Sequence, residues 1–281
     1  MKIIRSIKEM QQLAGSWKRR GYRVGFVPTM GALHEGHLSL IRQARKNNKK
    51  VIVSIFVNPT QFGPKEDFKK YPRNLSEDAR LCRKEGVDVV FCPSAVEMYP
   101  SNYKTYVEIE DLSAVLCGEF RPGHFRGVAT VVTKLFNIVQ PDIAYLGQKD
   151  AQQAIIIKRM ARDLNMPLRI EIVPTRRDRD GLALSSRNRY LTAAERKSAA
   201  VLNRALNLGH KLVADGNRNS RKIITKLKAL IRKSPRTRIQ YLEIVDPQDL
   251  RPVARIKGQA LIALAVYLGK TRLIDNIIVR G

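Results

Sequence analysis

The first 175 residues alternate short apolar segments with amphipathic ones, and this alternation constrains the fold more than any other feature of the sequence. The apolar segments have the length and the β-branched composition of buried strands, and the amphipathic ones repeat at helical spacing. This order predicts a Rossmann-like, doubly wound α/β fold, with helices on both faces of a parallel sheet. The predicted strands are residues 22–27, 51–57, 87–92, 143–147 and 169–174. The predicted helices are residues 36–47, 76–85, 126–139 and 151–164.

From residue 176 onward the pattern changes to one of helices followed by strands. Thr192 is placed to cap a long helix over residues 192–214, and a second helix is expected over residues 220–233. Strands are expected at residues 239–245, 260–266 and 271–279. The sequence therefore predicts two domains, residues 1–175 and a smaller α+β domain of residues 176–281, joined by the polar, Gly-ended segment 176–181 as a hinge or linker.

Composition narrows the class of protein. A chain of 281 residues that is 44% hydrophobic can bury a substantial core. The N-terminus has no apolar signal region, and no apolar stretch approaches the roughly 20 residues needed to span a bilayer. A cytoplasmic location without membrane association is therefore expected. The three cysteines lack Cys-x-x-Cys spacing, so neither a disulfide framework nor a zinc site is indicated.

The net charge of +27, from 52 Lys and Arg against 25 Asp and Glu, requires that a polyanionic partner be considered. The basic excess is concentrated in residues 176–281 and is greatest over residues 218–238. That stretch has no aromatic residue to stack on bases, and its Ile and Leu residues interleave at helical spacing. A solvated helix face is favoured over an RNA-binding module.

The segment of residues 28–41, PTMGALHEGHLSLI, follows a predicted strand and opens a predicted helix near Gly36. A helix start offers unpaired N–H groups and a positive dipole end to phosphate oxygens. His34 and His37, two of four histidines in the chain, would flank that end. Either histidine alone could instead be a cap or a surface residue. The strand and the His-x-Gly-His spacing together favour a nucleotide site.

Polar residues follow two other predicted strands, where doubly wound sheets bind ligands. Asn58 and Gln61 follow one strand, and their amides suit a substrate with hydroxyls and a carboxylate, although Asn-Pro-Thr could simply form a turn. Lys149 follows another strand and could reach phosphates or be solvated. Asp150 could cap the next helix or accept from ribose hydroxyls.

Two loops complete the set of candidate site segments. Ser185, Ser186 and Arg187 supply two hydroxyls and a guanidinium that could close over a triphosphate, although such a loop is by itself a weak signal. The segment from Arg121 to His124 could be an anion-binding helix entrance or only a Gly-Pro turn. No Gly-x-x-x-x-Gly-Lys-Ser/Thr motif occurs, which excludes a P-loop.

Taken in order, six motifs resemble the pantothenate synthetase (pantoate–β-alanine ligase) family. They are PTMGALHEGH, FVNPTQFG, YPRN, RPGHFRGV, GQKDAQQ and LSSRNRYL, and they span residues 28–190. The segment from His34 to His37 resembles the HIGH signature of the nucleotidylyltransferase superfamily, and the loop from Leu184 to Arg187 stands in the place of its KMSKS-like loop. The resemblance implies ATP-dependent condensation of (R)-pantoate with β-alanine through a pantoyl adenylate, with AMP and pyrophosphate as the other products.

The resemblance also implies roles for particular residues. His37 would be the proton donor, with His34 and Lys149 as further catalytic groups. Gln61 and Gln153 would bind pantoate, with Asn58 and Arg121 in support, and Gln61 would also contact β-alanine. The implied ATP-binding residues are Met30, Gly31, Ala32, Leu33, His34, Glu35, Gly36, His37, Gly147, Gln148, Lys149, Asp150, Arg176, Leu184, Ser185, Ser186 and Arg187.

The resemblance further implies a Mg²⁺ ion held mainly by ATP phosphates and water, with Asp78 as an outer ligand. It implies a homodimer, and a C-terminal domain that closes over a site on the ATP- and pantoate-binding domain. Gln148 stands where the family usually has Glu, and Leu184 where it often has Met. Activity is expected to survive both changes. A competing hypothesis is a nucleotidylyltransferase that acts on a phosphate monoester, although an acceptor of that kind would favour more arginine near Gln61.

Overall fold

A six-stranded parallel sheet organises the first of two units in the computed structural model, which describes residues 1–64 and 66–281. The first unit comprises Met1–Ala114, Gly118–Gly147 and Ile156–Pro174. The second unit comprises Val115–Cys117, Gln148–Ile155 and Thr175–Gly281. Among the described residues, no helix has both the length and the apolar character needed to cross a membrane.

The strand order of this sheet is β1-β4-β3-β2-β5-β6, and every pair is parallel. The strands are β1 (Lys2–Ile4), β2 (Val24–Thr29), β3 (Lys50–Ile55), β4 (Val89–Phe91), β5 (Ile143–Gly147) and β6 (Arg169–Val173). The predicted doubly wound α/β class is confirmed. The order reverses between β2 and β5, and such a switch point opens a crevice at the carboxyl ends of its strands. The candidate segments after Thr29 and at Gly147 therefore begin at the same switch point.

Helices connect these strands as the hydrophobic pattern requires. They are α1 (Ile7–Arg19), α2 (Glu35–Asn47), α3 (Leu75–Lys84), α4 (Ala95–Met98), α5 (His124–Val139) and α6 (Ala151–Asp163). Three of these elements, β1, α1 and α4, were not among those predicted from the sequence. Helix α1 nevertheless has a clear signal in the sequence, because Ser6 caps it and Met10, Ala14 and Trp17 form a buried stripe at helical spacing.

The core of the first unit packs α2 against the centre of the sheet. Val27, Ile41 and Val53 are fully buried there, and each such aliphatic side chain contributes roughly 1.5–3 kcal/mol relative to full exposure. Tyr145 is also fully buried, and its hydroxyl accepts a hydrogen bond of 2.8 Å from the Asn48 amide. This packing fixes the level at which β2 ends and α2 begins.

The second unit contains a three-stranded antiparallel sheet in the order β7-β8-β9, within residues 175–281, all of which are described. Its elements are α7 (Ala193–Ala199), α8 (Val201–Ala214), α9 (Ser220–Arg232), β7 (Thr237–Val245), β8 (Gln259–Leu268) and β9 (Thr271–Arg280). The prediction of one helix over residues 192–214 is wrong. The helix breaks at Ala200, where ψ is −20° and the turn is tighter than an α-helix.

The polar segment 176–181, expected to be a hinge or linker, forms the first half of a tight antiparallel turn. The Leu184 N–H donates to the Arg176 carbonyl at 3.0 Å, and the Asp178 N–H donates to the Leu182 carbonyl at 2.9 Å. Gly181 has a φ of +85°, which only glycine adopts without strain. This turn places Leu184 beside Arg176 at the start of the Ser185–Arg187 loop.

Candidate active site

A strained turn joins β2 to α2. Gly31 and Ala32 both have positive φ, at 82° and 51°, and such values are uncommon for a residue with a Cβ. The turn is tied to the sheet because the Gly31 N–H donates to the Thr29 hydroxyl, which itself donates to the Ser54 carbonyl on β3. The predicted ATP-binding residues from Met30 to Leu33 therefore lie in a fixed, irregular segment and not in a regular helix.

Asp78 holds this turn from α3. Its carboxylate is only 3% exposed, and its two oxygens accept hydrogen bonds from the backbone N–H groups of Ala32 at 2.9 Å and Leu33 at 2.7 Å. A Cβ on Gly31 would lie 2.9 Å from the carboxylate oxygen Oδ2, so the turn and Asp78 fit closely. The residue predicted as an outer Mg²⁺ ligand thus has a structural contact on each oxygen. Among the described residues, no group of three or more His, Cys, Asp or Glu side chains is placed to hold a metal ion.

The two histidines cap α2 reciprocally. The His34 Nδ1 accepts from the Gly36 N–H at 3.1 Å, and the His37 Nδ1 accepts from the His34 N–H at 3.3 Å. The two rings lie against each other with centroids 4.2 Å apart. Because Nδ1 accepts in each ring, the neutral imidazole carries its proton on Nε2. Both rings are therefore held in the tautomer that donates from Nε2.

This arrangement changes the expected source of phosphate contacts. The sequence predicts that unpaired backbone N–H groups at the start of α2 face phosphate oxygens, but the Gly36 N–H is paired with His34. The cap and the nucleotide interpretation of His34 are compatible, because capping through Nδ1 orients Nε2. The positive end of the helix dipole still favours an anion, and in this tautomer the Nε2 atom of each imidazole is a hydrogen-bond donor.

Asn58 and Gln61 lie together after β3, where the 3₁₀ turn Pro59–Gln61 begins. Asn58 is 1% exposed, and its amide nitrogen donates to the Gln61 Oε1 at 3.0 Å and to the Gly127 carbonyl at 3.1 Å. The Gln61 Nε2 lies 3.2 Å from the Met30 sulfur, so Gln61 adjoins the turn that carries the predicted ATP site. Asn58 was expected to bind substrate, but its amide is buried and instead donates to the Gln61 side chain.

Arg121 takes part in a second support of the same turn. Its guanidinium makes a bidentate ion pair with Glu66, with both distances at 2.6 Å, and a further contact of 2.9 Å with the His124 Nε2. His124 Nδ1 in turn lies 2.8 Å from the Gln61 carbonyl oxygen. Burial alone would raise the pKa of Glu66, but the hydrogen bonds and charge of Arg121 lower it below its ordinary value. The segment from Arg121 to His124 was interpreted as either an anion-binding helix entrance or a Gly-Pro turn. The observed contacts favour a turn, and this turn supports Gln61.

In the second unit, the residues after β5 form the 3₁₀ turn Gln148–Asp150, which is held by β9. Asn276, 4% exposed, donates to the carbonyls of Gln148 and Lys149, both at 2.9 Å, and accepts from the Gln148 side-chain amide at 2.9 Å. This contact gives Gln148 a packing role through its side chain. The Lys149 ammonium lies 3.4 Å from the Asp150 carboxylate, which is too long for a strong ion pair.

The two adjacent glutamines that open α6 differ in their surroundings. Gln152 is buried, and its amide accepts from the Cys117 N–H at 2.9 Å and donates to the Val115 carbonyl at 2.7 Å. Gln153 is half-buried, and its side chain makes no hydrogen bond within the described part of the chain. The structure thus assigns Gln152 to internal support and leaves Gln153 as the candidate for substrate.

The predicted loop over the triphosphate also lies along β9 in the second unit. Ser185 precedes the 3₁₀ helix Ser186–Tyr190, and its hydroxyl accepts from the Arg187 N–H at 3.3 Å. The turn before it is anchored by Arg177, whose guanidinium pairs with the buried carboxylate of Asp275 at 2.6 Å and 3.0 Å. Two consecutive polar residues of β9, Asp275 and Asn276, therefore hold both candidate segments of this unit.

Within the first unit, the structure brings the residues from Met30 to His37 together with Gln61, Asn58, Arg121 and Asp78 through the contacts above. Within the second unit, it places the Lys149 and Ser185–Arg187 segments along one strand. The supporting residues that the sequence pattern did not predict are Tyr99, whose hydroxyl donates to the Asn58 Oδ1 at 2.9 Å, and then Asp275 and Asn276 of β9. The last two have a visible signal, because two polar residues interrupt the apolar β9 sequence.

Comparisons with known proteins identify relatives along the full chain. The family model for pantoate-β-alanine ligase matches residues 2–278. The pantothenate synthetase of Moorella thermoacetica is 55% identical over 278 residues, covering 99% of this chain and 98% of the relative. That of Caldicellulosiruptor saccharolyticus is 53% identical over 279 residues, with 99% of both chains covered.

Solved structures give the same result. A crystal structure of pantothenate synthetase from Thermus thermophilus superimposes with a TM-score of 0.93 at 44% identity, covering 99% of both chains. Pantoate-β-alanine ligase from Francisella tularensis, complexed with β-γ ATP and β-alanine, superimposes with a TM-score of 0.79 at 36% identity, covering 99% of this chain and 97% of the other.

Proposed function

The chain belongs to the pantoate–β-alanine ligase family, and we propose that the side chains described above carry out its reaction in the roles given below. In that reaction (R)-pantoate and β-alanine condense to pantothenate, and ATP is cleaved to AMP and pyrophosphate. A carboxylate is a poor electrophile, so the acid is first adenylated. The observation that carries the assignment is the pair of oriented imidazoles where β2 meets α2.

In the first step a pantoate carboxylate oxygen attacks the α-phosphorus of ATP, and the bond from that phosphorus to the pyrophosphate oxygen breaks. Negative charge then grows on the leaving oxygen. We assign His37 as the donor to that charge and His34 as a second donor beside it, each through a hydrogen bond from the Nε2–H of its neutral ring. In the second step the β-alanine amine attacks the acyl carbon and expels AMP.

We assign ATP binding to the residues that the family resemblance implies. They are Met30, Gly31, Ala32, Leu33, His34, Glu35, Gly36, His37, Gly147, Gln148, Lys149, Asp150, Arg176, Leu184, Ser185, Ser186 and Arg187. Lys149 and Arg187 supply positive charge to the departing pyrophosphate, with the hydroxyls of Ser185 and Ser186 as further donors. The position of β2 and β5 at the switch point of the sheet supports this assignment.

Gln61 and Gln153 are assigned to pantoate, and Gln61 also to β-alanine. Asn58 and Arg121 act on pantoate through Gln61, because the amide of Asn58 and the guanidinium of Arg121 are both engaged by protein groups. Neutral amides suit the hydroxyls and the single carboxylate of a small hydroxy acid, whereas a phosphate monoester would favour guanidinium groups.

Mg²⁺ is proposed to accompany ATP. The carboxylate oxygens of Asp78 are engaged by Ala32 and Leu33, so the donors fit an ion held by phosphate oxygens and water better than one held by protein side chains. When bound, the ion would neutralise phosphate charge. A cytoplasmic location remains a prediction from the sequence, and a homodimer remains a prediction from the family resemblance alone.

The proposal is tested by mixing the purified protein with ATP, (R)-pantoate, β-alanine and Mg²⁺, and following AMP and pyrophosphate. We expect both products only when pantoate is present, and pantothenate only when β-alanine is also present. Pyrophosphate release with a panel of phosphate monoesters, and none with pantoate, would establish the alternative nucleotidylyltransferase. No AMP under any of these conditions would refute both.

A further inference from the structure

Tyr99, which follows α4, connects an aromatic cluster to Asn58 and to the turn Pro59–Gln61. Its hydroxyl donates to the Asn58 Oδ1 at 2.9 Å and lies 3.4 Å from the Thr60 hydroxyl. Its ring packs near Phe56, with centroids 6.3 Å apart, and edge-on to Tyr103 at 5.1 Å. Burial raises the pKa of Tyr99 to about 12, so the hydroxyl keeps its proton at neutral pH. Tyr99 is therefore a rigidly held donor.

The Asn58 amide has one orientation that satisfies its neighbours. The Gly127 carbonyl can only accept a hydrogen bond, so the amide nitrogen of Asn58 must face it, at 3.1 Å. The opposite atom, Oδ1, then faces two hydroxyl donors, Tyr99 at 2.9 Å and Thr60 at 2.9 Å. Asn58 is 1% exposed, so water does not replace these partners readily.

The orientation of Asn58 determines that of Gln61. The Asn58 nitrogen donates to the Gln61 Oε1 at 3.0 Å, so the Gln61 oxygen points back into the protein. The NH₂ group of Gln61 then faces the Met30 sulfur, a weak acceptor, at 3.2 Å. A group that only donates suits a carboxylate, which only accepts.

We propose that Tyr99 is a positioning residue for pantoate, holding the Gln61 amide through Asn58 with its NH₂ group directed to the oxygens of pantoate. This inference rests on the proposed assignment of Gln61 to pantoate. Tyr99 itself does not touch the substrate. Its hydroxyl acts by keeping Asn58 in the orientation that gives Gln61 a donating face.

The direct test is Tyr99→Phe, which removes the hydroxyl and keeps the ring. We expect the KM for pantoate to rise roughly 2- to 10-fold, the range that corresponds to one net hydrogen bond, with the KM for ATP unchanged. The matched control is Tyr103→Phe. Tyr103 lies beside Tyr99 in the same aromatic cluster, and its hydroxyl makes no hydrogen bond within residues 1–64 and 66–281. We expect its KM for pantoate to equal that of the wild type.

A double-mutant comparison separates positioning from general support of the fold. The double variant Gln61→Ala/Tyr99→Phe should have the same KM for pantoate as Gln61→Ala alone, because the effect of Tyr99 passes through Gln61. Three results would each overturn the inference. The KM for pantoate could be unchanged in Tyr99→Phe alone. Tyr99→Phe could raise the KM for pantoate as much in the Gln61→Ala background as in the wild type, or it could raise the KM for ATP as much as the KM for pantoate.

A second variant covers the case in which Tyr99→Phe does not fold. Asn58→Asp keeps the oxygen that faces Tyr99 but has no NH₂ group for Gln61, so Gln61 must reverse and present its oxygen to pantoate. The KM for pantoate should rise here as well, and an unchanged value would overturn the inference. Wild-type activity with pantoate is measured in parallel. Its absence would refute the proposed function, whereas its presence with unaltered variants would refute only the role of Tyr99.

Discussion

Asp78 illustrates how a single buried carboxylate can hold an irregular backbone turn in place. Each oxygen accepts one backbone N–H of the turn before His34, and Ala32 is held at a φ of 51° as a result. The acid lies more than 40 residues from the turn in sequence. Its position in the first turn of a predicted helix therefore gave no sign of this partner, and the role came only from the tertiary structure.

The substitution Asp78→Asn tests this contact. An amide has only one accepting oxygen, so one of the two N–H groups would face an NH₂ group and lose its partner. We expect the free energy of unfolding to fall by about 1–3 kcal/mol and kcat/KM for ATP to fall together with it. Chemical denaturation and initial-rate kinetics measure the two quantities.

The matched control is Glu77→Gln, in the same turn of α3. The Glu77 side chain is 46% exposed and pairs with Arg80 on the surface, so Glu77→Gln should leave the free energy of unfolding close to that of the wild type. Equal stability of Asp78→Asn and the wild type would show that the carboxylate does not hold the turn.

The close approach of α5 to the Pro59–Gln61 turn is the contact between elements on which Gln61 depends most. A Cβ on Gly127 would overlap the Thr60 carbonyl and come within 2.7 Å of the Gln61 N–H nitrogen. Only glycine allows the helix backbone to approach this near. The Gly127 carbonyl also accepts from Asn58, so any displacement of the helix moves the amide pair.

We predict that Gly127→Ala displaces the Pro59–Gln61 turn and raises the KM for pantoate about 10-fold or more, since even a small misplacement of a binding group is costly. The control is Gly15→Ala on α1, where the added Cβ meets its nearest neighbour at an ordinary 3.5 Å. Steady-state kinetics at varied pantoate concentration measure the KM for pantoate of both variants. A Gly127→Ala enzyme with the KM of the control would contradict the proposed coupling of α5 to Gln61.

The regular elements of the first unit other than β1, α1 and α4 could be predicted because strand and helix periods are local properties of the sequence. The edge strand β1 could not, because its three residues become a strand only by pairing with β4. The break at Ala200 and the pairing of Leu184 with Arg176 also depend on partners that local periodicity does not encode. Likewise, Gln61 could be proposed from its position after a strand, whereas Tyr99 and Asn276 support their partners across the fold.

The net charge of +27 is a property of the chain that the condensation reaction itself does not require. ATP and pantoate are both anions, and a strongly positive protein attracts them over distances up to the screening length. That length is about 10 Å at 0.1 M salt and about 3 Å at 1 M. The basic residues of α9 and its flanks add to this field.

We predict that kcat/KM for ATP and for pantoate falls as ionic strength rises from about 0.05 to 0.5 M, because screening reduces the attraction of both anions. The value of kcat at saturating substrate should change far less. A salt series of initial rates measures both parameters in one experiment. A kcat/KM that is independent of salt would show that the charge does not steer the substrates.

The assignment of the His34–His37 segment as the adenylating site is tested most directly by single-turnover kinetics of His37→Ala. We predict that pantoyl adenylate forms from ATP and pantoate at least roughly 100-fold more slowly than in the wild type, because the hydrogen-bond donor to the leaving pyrophosphate is gone. Aminolysis of supplied pantoyl adenylate by β-alanine should stay near the wild-type rate. Adenylate formation at the wild-type rate in His37→Ala would contradict the account.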